Sequence, residues 1–250
     1  MQLAPDFSSS LPSSAGEAAY RALQWGKNYF GLAHKLTSTR AATAWADVLR
    51  TLQGSPAGAS QAGRLSPATI AAAQARYDAL LTLDWQDAEA GYYPSDLLFD
   101  QDWSEFARVY PQVWVDLVSI SDRVVNKRYQ EFAADIDTEG YPSYYLQNFH
   151  HQTDGYLSDR SASLYDVQVD LLFGGCTDAM RRRIIRPIID LATRRPDKTS
   201  RILDVACGTG RTLRMLRRAF PKSALHGIDL SPAYLRKANQ TLSAMPGELP

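Results

Sequence analysis

The segment Arg201–Gly210, with the sequence Arg-Ile-Leu-Asp-Val-Ala-Cys-Gly-Thr-Gly, most constrains what this chain can fold into. Its apolar start predicts a short strand, its two glycines predict a tight turn, and the residues after them predict a helix. About twenty residues later a second apolar run ends at Asp229 in His-Gly-Ile-Asp-Leu-Ser. The pattern predicts a parallel βαβ unit that holds a nucleoside cofactor, because glycines admit a ligand, a helix N-terminus offers N–H groups and an acid accepts from ribose hydroxyls.

The residues around the glycines indicate which cofactor fits. A dinucleotide-binding turn has a third glycine, which allows the helix to pack closely on the strand, whereas this chain has Leu213 there. Asp204 precedes Gly208 by four residues, and its charge would oppose a pyrophosphate. The same carboxylate suits a cationic ligand, such as the amino group and sulfonium of S-adenosylmethionine. A nicotinamide-dependent oxidoreductase is therefore disfavoured.

At these residues the chain resembles the class I S-adenosylmethionine-dependent methyltransferases. Their first motif is similar to Leu-Asp-x-Gly-x-Gly-x-Gly, and this chain has Ala206 in place of the first glycine, a small-for-small change. Asp229 matches the family's ribose-binding acid. The resemblance covers roughly residues 160–250 and implies S-adenosyl-L-methionine as the cofactor. It implies these cofactor-binding residues: Asp204, Ala206, Cys207, Gly208, Thr209, Gly210, Asp229 and Leu230.

A looser similarity involves Tyr165, which with Asp166 precedes the first motif by about forty residues. This layout resembles the quinone-biosynthesis branch of the same family, which implies that Tyr165 lies over the methionine end of the cofactor. The alternative is that Tyr165 is a core residue on a helix face.

The aromatic and polar loop at residues 141–160 interleaves rings with amides and imidazoles and lacks periodicity. It either lines a ligand site or fills gaps between domains while its amides satisfy the backbone. His150, His151 and Tyr156 are the visible candidates for a general base, but no catalytic residue is assigned. Adjacent histidines diverge on regular structure, and only Asp154 lies nearby, so no metal site is expected.

Composition excludes several classes. Hydrophobic residues make up 45% and charged residues 22%, as in soluble globular proteins, and the formal net charge of zero gives no sign of a nucleic-acid partner. No apolar run is long enough for a membrane span, and the N-terminus lacks the pattern of a secretory signal. The two cysteines, Cys176 and Cys207, form no disulfide framework and fit a reducing, cytoplasmic location.

Charge is unevenly distributed along the chain. Residues 78–139 hold fourteen acidic and four basic residues, whereas residues 176–222 hold thirteen basic and four acidic ones. Three interpretations are open: two solvated helix faces, docking of the acidic region on the basic one, or a basic site for an anionic substrate. Because exposed charges are screened within roughly 10 Å, only close apposition would matter for stability.

The predicted fold class is a helical N-terminal region followed by the first two strands of a Rossmann-like methyltransferase sheet, truncated there. The predicted organisation is a disordered tail (1–15), a helical region (16–140) with a flexible linker (54–66), the loop (141–160) and a partial methyltransferase domain (161–250).

Within the helical region the pattern predicts two helices up to about Leu52, or one helix broken near Ser38, and then a helix that opens at Ser66-Pro67. It also predicts a helix over 103–134, interrupted before Pro111. Ser161 or Ser163 is predicted to cap the helix that carries Tyr165.

The resemblance implies methyl transfer to a small-molecule or lipid-like acceptor. The family reads adenine and places its chemistry after later strands of the sheet, and no matching segments occur in the chain. We therefore expect an incomplete enzyme, inactive by itself and prone to self-association through the unfinished sheet. A non-catalytic adenosyl-ligand-binding or interaction protein is the alternative.

Overall fold

The computed structural model describes residues 14–52, 54, 66–149, 152–193 and 201–243. These residues form a mostly helical protein with one small parallel sheet. The helices are α1 (Ser14–Leu52), α2 (Pro67–Glu89), α3 (Trp103–Val125), α4 (Asp159–Leu172), α5 (Thr177–Arg182), α6 (Ile185–Thr193), α7 (Arg211–Ala219) and α8 (Pro232–Ser243). The strands are β1 (Arg201–Val205) and β2 (Ala224–Ile228), and a 3-10 turn spans Ser95–Leu98.

The N-terminal region is helical, as the sequence predicts, but two expected breaks were wrong. The first helix continues through Ser38, because Ser38 and Thr37 donate their hydroxyls to carbonyls three or four residues earlier, within the helix. The third helix passes through Pro111 and ends at Val125 rather than near residue 134. Val109 and Val113 flank Pro111 and are both buried against α4, so packing on either side outweighs the one donor that proline removes.

Serine caps set the starts of two helices. Ser66 accepts a hydrogen bond from the Thr69 N–H and Pro67 occupies the first turn of α2, which confirms that prediction. The cap of α4 is Ser158, which accepts from the Ser161 N–H, so assigning the cap to Ser161 or Ser163 was wrong. The Ser161 hydroxyl instead donates to the Gly155 carbonyl, 2.5 Å away, inside the protein.

The two strands form the predicted parallel pair, with Arg201 opposite Ala224 and Val205 opposite Ile228. Helix α7 connects them and buries its apolar side chains, including Leu213 and Leu216. The opposite face of the sheet is open: Leu203 is 58% exposed. Covering only one face of a parallel pair is unusual, since such sheets are normally buried on both.

The charged regions dock on each other, which confirms the second interpretation of the charge pattern. Asp84 is fully buried and accepts two hydrogen bonds from Arg182, at 2.6 Å from Nη2 and 3.0 Å from Nε. Tyr20 and Tyr93 donate to the same carboxylate. Four further ion pairs cross between the regions: Asp87–Arg183, Asp87–Arg186, Asp96–Arg218 and Asp100–Arg214.

Some predictions fall on residues outside the described ranges. Residues 1–13 of the predicted tail lie there, while Ser14 and Ala15 are already helical. Most of the predicted linker, residues 55–65, also lies there, so the domain boundaries stay predictions. Among the described helices, none combines the length and apolar character that a membrane crossing needs.

Candidate cofactor site

The carboxyl ends of β1 and β2 bring the glycine loop and Asp229 together, as the sequence predicts. The Cys207 N–H donates to the Ile228 carbonyl at 3.0 Å, which fixes the start of the loop. Asp229 accepts from the Gly208 N–H at 2.9 Å and from the Ser231 N–H at 2.8 Å. Each carboxylate oxygen has a second lone pair, so Asp229 can still accept from two hydroxyl groups of a ligand.

Asp204 carries an unpaired oxygen beside this carboxylate. Its Oδ2 atom is buried and has no hydrogen-bond partner among the described residues. Burial raises the pKa of Asp204, and the charge of Asp229 raises it further. A buried carboxylate without a partner is unfavourable until a donor or cation arrives, so Asp204 fits the cationic end of S-adenosylmethionine.

The two glycines of the loop have different roles. Gly208 has φ +56°, and the nearest atom to a Cβ built there is Tyr234 Cδ1 at 4.0 Å, so the space beside it is open to a ligand. Gly210 has φ +76°, and its Cβ would lie 2.9 Å from the Ala238 Cβ on α8. Gly210 therefore permits close packing of α8, and its expected role in the approach of backbone to a ligand stays a prediction.

Ala206 stands at the position where the methyltransferase motif that this segment resembles has its first glycine. It has φ +63°, in the left-handed region where a Cβ is unfavourable. The small-for-small replacement therefore keeps the loop's path but stores strain that a glycine would not.

The remaining loop residues hold the site in place. The Thr209 hydroxyl donates to Asp166 at 2.9 Å and ties the loop to α4. Cys207 is buried, and desolvation together with Asp229 and Asp204 raises the pKa of its thiol to about 11. Leu230 lies next to Asp229 with about half its surface exposed, so it presents an apolar group beside that carboxylate.

A cluster of aromatic rings borders Asp229. Tyr156 stacks on Phe149 with ring centres 4.8 Å apart, and it meets Tyr165 and Tyr234 edge to face. Burial raises the pKa of Tyr165, and Asp229 is close enough to contribute to the same rise, while Arg181 opposes it. Tyr165 is thus a packed residue of the cluster, as its core interpretation expects, and it also neighbours Asp229. Its expected position over the methionine end of a cofactor stays a prediction.

The aromatic and polar loop makes the structural contacts expected of it, and its expected role in lining a ligand site stays a prediction. The Asn148 side chain pairs with the backbone N–H and carbonyl of Glu131, at 2.9 and 2.8 Å, which is a structural role. At its other end the Tyr156 carbonyl accepts from the Ser231 hydroxyl at 2.5 Å, which fastens the loop to the segment after Asp229.

The structure does not support Tyr156 as a general base, and it does not describe the other two candidates. Burial, with Tyr165 and Asp229, raises the pKa of Tyr156 to about 12, so its phenol stays protonated near neutral pH and cannot accept a proton. His150 and His151 lie outside the described residues. The catalytic group therefore stays unassigned.

Sequence reasoning missed two contributors. Tyr234 forms the wall next to Gly208, and its hydroxyl lies 2.9 Å from the Ser161 hydroxyl. Asp166 anchors Thr209. Tyr234 follows Ser231 by one turn and its N–H donates to the Ser231 hydroxyl at 3.2 Å, so the capping signal Ser231-Pro232 could have placed it at the site.

The similarity of this chain to known proteins lies in the segment that contains the glycine loop and Asp229. Residues 202–248 match the family model described as "Methyltransferase domain". The chain is 43% identical over 58 residues to trans-aconitate 2-methyltransferase of Klebsiella pneumoniae, which is 23% of each chain. It is 34% identical over 86 residues to demethylmenaquinone methyltransferase of Thermotoga maritima, covering 34% of this chain and 35% of that one.

A third relative is malonyl-[acyl-carrier protein] O-methyltransferase of Anoxybacillus flavithermus, 32% identical over 68 residues, which are 27% of this chain and 22% of that one. The chain thus spans about a fifth to a third of the length of these relatives. No solved structure matches it significantly. The resemblance of the glycine-loop segment to class I methyltransferases is confirmed.

Proposed function

We propose that this chain supplies the S-adenosyl-L-methionine-binding part of an enzyme that methylates a small-molecule or lipid-like acceptor. The main support for the proposal is that two carboxylates lie side by side at the ends of neighbouring parallel strands. Asp204 has a buried unpaired oxygen, and Asp229 is held in place by two backbone N–H groups. Between them, Gly208 leaves open space.

In this site the chain's residues bind and orient the methyl donor. Asp229 accepts from the ribose hydroxyls, Asp204 faces the cationic methionine end, and the backbone at Gly208 approaches the ligand closely. The bound S-adenosylmethionine supplies an already activated methyl group, so the protein's main task is to align an in-line attack. The aromatic rings beside Asp229 exclude water from the site.

Calorimetric titration with S-adenosylhomocysteine tests the proposal. Asp229→Ala should lose two charge-assisted hydrogen bonds of ~1.5–3 kcal/mol each before water compensates, and should weaken binding at least tenfold. Asp159→Ala, which removes an exposed carboxylate paired with Arg236, is the control and should bind like the unmodified chain. Equal affinities for the Asp229 variant and the unmodified chain, or tighter binding of NAD, would refute the cofactor assignment.

The exposed face of the sheet is the reason to expect that the chain associates with itself and has no activity alone. Leu203, Val205 and Ile228 are each more than half exposed there, and contiguous exposed apolar surface promotes association. We propose that the 250-residue chain self-associates and that it shows no methyl transfer to quinols, phenols or fatty acids. Sedimentation at several concentrations and incubation with methyl-labelled cofactor test both points.

Robust turnover by the isolated chain would show that the glycine loop and the two described strands are sufficient for methyl transfer. The alternative function, a non-catalytic protein that binds an adenosyl ligand, is favoured by the same open sheet face. It predicts saturable binding of S-adenosylhomocysteine without turnover, even when further methyltransferase strands are supplied.

A further inference from the structure

A pocket of about 460 Å³ opens between α1, α3 and the end of α4, away from the glycine loop. Its walls are mainly apolar and include Leu23, Phe30, Trp103 and Phe106. Small-molecule sites typically enclose about 300–1,000 Å³ and combine apolar walls with a few polar groups. The residues that line this pocket include none of the candidate cofactor-binding positions.

One end of the pocket carries a buried ammonium group. The Lys27 side chain is only 10% exposed, and its Nζ donates to Gln101 Oε1 at 2.9 Å and pairs with Asp170 Oδ2 at 3.2 Å. All three residues line the pocket. An ammonium has three N–H donors, and the contacts to described residues use two of them, so among these residues one donor remains for the oxygen of a ligand.

Gly26 gives a second, independent sign that the space is kept open. It lies inside α1, where glycine costs about 1 kcal/mol relative to alanine. A Cβ built at Gly26 would meet no atom of the described residues within 4 Å, so neither their packing nor the backbone conformation requires glycine there. Gly31, one and a half turns later, differs: its Cβ would lie 3.2 Å from the Gly174 Cα, so that glycine permits close packing.

We propose that this pocket binds a largely apolar small molecule that carries one hydrogen-bond-accepting oxygen, such as a phenol. The apolar walls take the ring, and the Lys27 ammonium donates to the oxygen. Asp170 already balances the charge of Lys27, so a charged ligand of either sign gains little from this pair. Gly26 keeps the mouth of the pocket free of a side chain.

Equilibrium dialysis of the 250-residue chain with 1-naphthol, and with naphthalene as the probe without oxygen, tests the proposal. Gly26→Leu fills the pocket from α1, and Ala107→Phe fills it from the opposite wall on α3. Gly26→Ala is the matched control, because it gains the same helix propensity but adds only one methyl group. Thermal unfolding shows which variants fold.

The unmodified chain and Gly26→Ala should bind 1-naphthol saturably and more tightly than naphthalene, and the two filling variants should weaken binding at least tenfold. If Gly26→Leu fails to fold, Ala107→Phe decides. Absence of saturable binding by the unmodified chain, or unchanged binding by a folded filling variant, would overturn the proposal. Equal affinity for naphthalene and 1-naphthol would overturn the assigned role of Lys27.

Discussion

Replacing Arg182 by Met should destabilise the protein severely, because it leaves the buried carboxylate of Asp84 without its cation. Asp84 is 0% exposed and Arg182 2% exposed, and the two form a bidentate pair. Removing one partner of such a pair typically costs about 3–5 kcal/mol. The Leu97 carbonyl, 2.9 Å from Arg182 Nη1, would lose its donor as well. The total stability of a domain is about 5–15 kcal/mol, so this loss is a large fraction of it.

Urea unfolding followed by circular dichroism measures this effect, and Arg236→Met is the matched control. Arg236 pairs with Asp159 at 2.9 Å, but both side chains are more than half exposed, so its loss should cost at most about 1 kcal/mol. The double variant Arg182→Met with Asp84→Asn should recover part of the lost stability, since no buried charge remains unpaired. Similar small shifts for Arg182→Met and Arg236→Met would refute the argument from burial.

Four further outcomes can be measured. Ala206→Gly should raise the free energy of unfolding by about 0.5–1 kcal/mol, because relief of ~1–2 kcal/mol of left-handed strain exceeds the entropy that glycine adds to the unfolded chain; lower stability in urea would contradict this. Gly210→Val should disrupt packing on Ala238 and lower the unfolding midpoint, whereas an unchanged midpoint would return Gly210 to a ligand role. Burial raises the pKa of Asp178, but the charge and hydrogen bonds of Arg211 outweigh it and hold the pKa well below its usual range. The folded pKa of Asp178 is therefore below the unfolded value of about 3.9, so the stabilisation by its ion pair with Arg211 is present above pH ~4 and is lost as the pH falls. Asp178→Asn should have a lower free energy of unfolding overall, and that free energy should decline less steeply below pH 4. An equally steep decline in the variant would exclude Asp178 as its source. The Cys207 thiol, with its pKa raised to about 11 by burial, should react with iodoacetamide at pH 8 far more slowly than free cysteine, and rapid alkylation in the folded chain would show that the loop opens.

The meeting of the glycine loop and Asp229 could be predicted from the sequence because these residues are close together in the chain. The strand, the glycine turn and Asp229 lie within thirty residues, and a βαβ unit brings such residues to one edge of the sheet. The serine cap at Ser66 was equally predictable, since capping involves residues three apart.

Features that depend on distant packing could not be predicted in this way. Asp84 and Arg182 are separated by 98 positions, and a charge count does not say which acid meets which base. The role of Gly210 depends on how closely α8 approaches, and Pro111 remains helical because two buried valines pack beside it. The expected break near Ser38 failed because serine and threonine hydroxyls can also be satisfied within a helix.

The first helix has a consequence for how the protein behaves in solution. Its 39 residues, at 1.5 Å each, extend about 58 Å, roughly twice the diameter of a small domain. The second half of this helix is mostly exposed, so it extends away from the rest of the protein and increases hydrodynamic drag. A 27.8 kDa monomer of this shape should elute early from a sizing column. Its association state should therefore be judged from light scattering or sedimentation equilibrium, which report mass independently of shape.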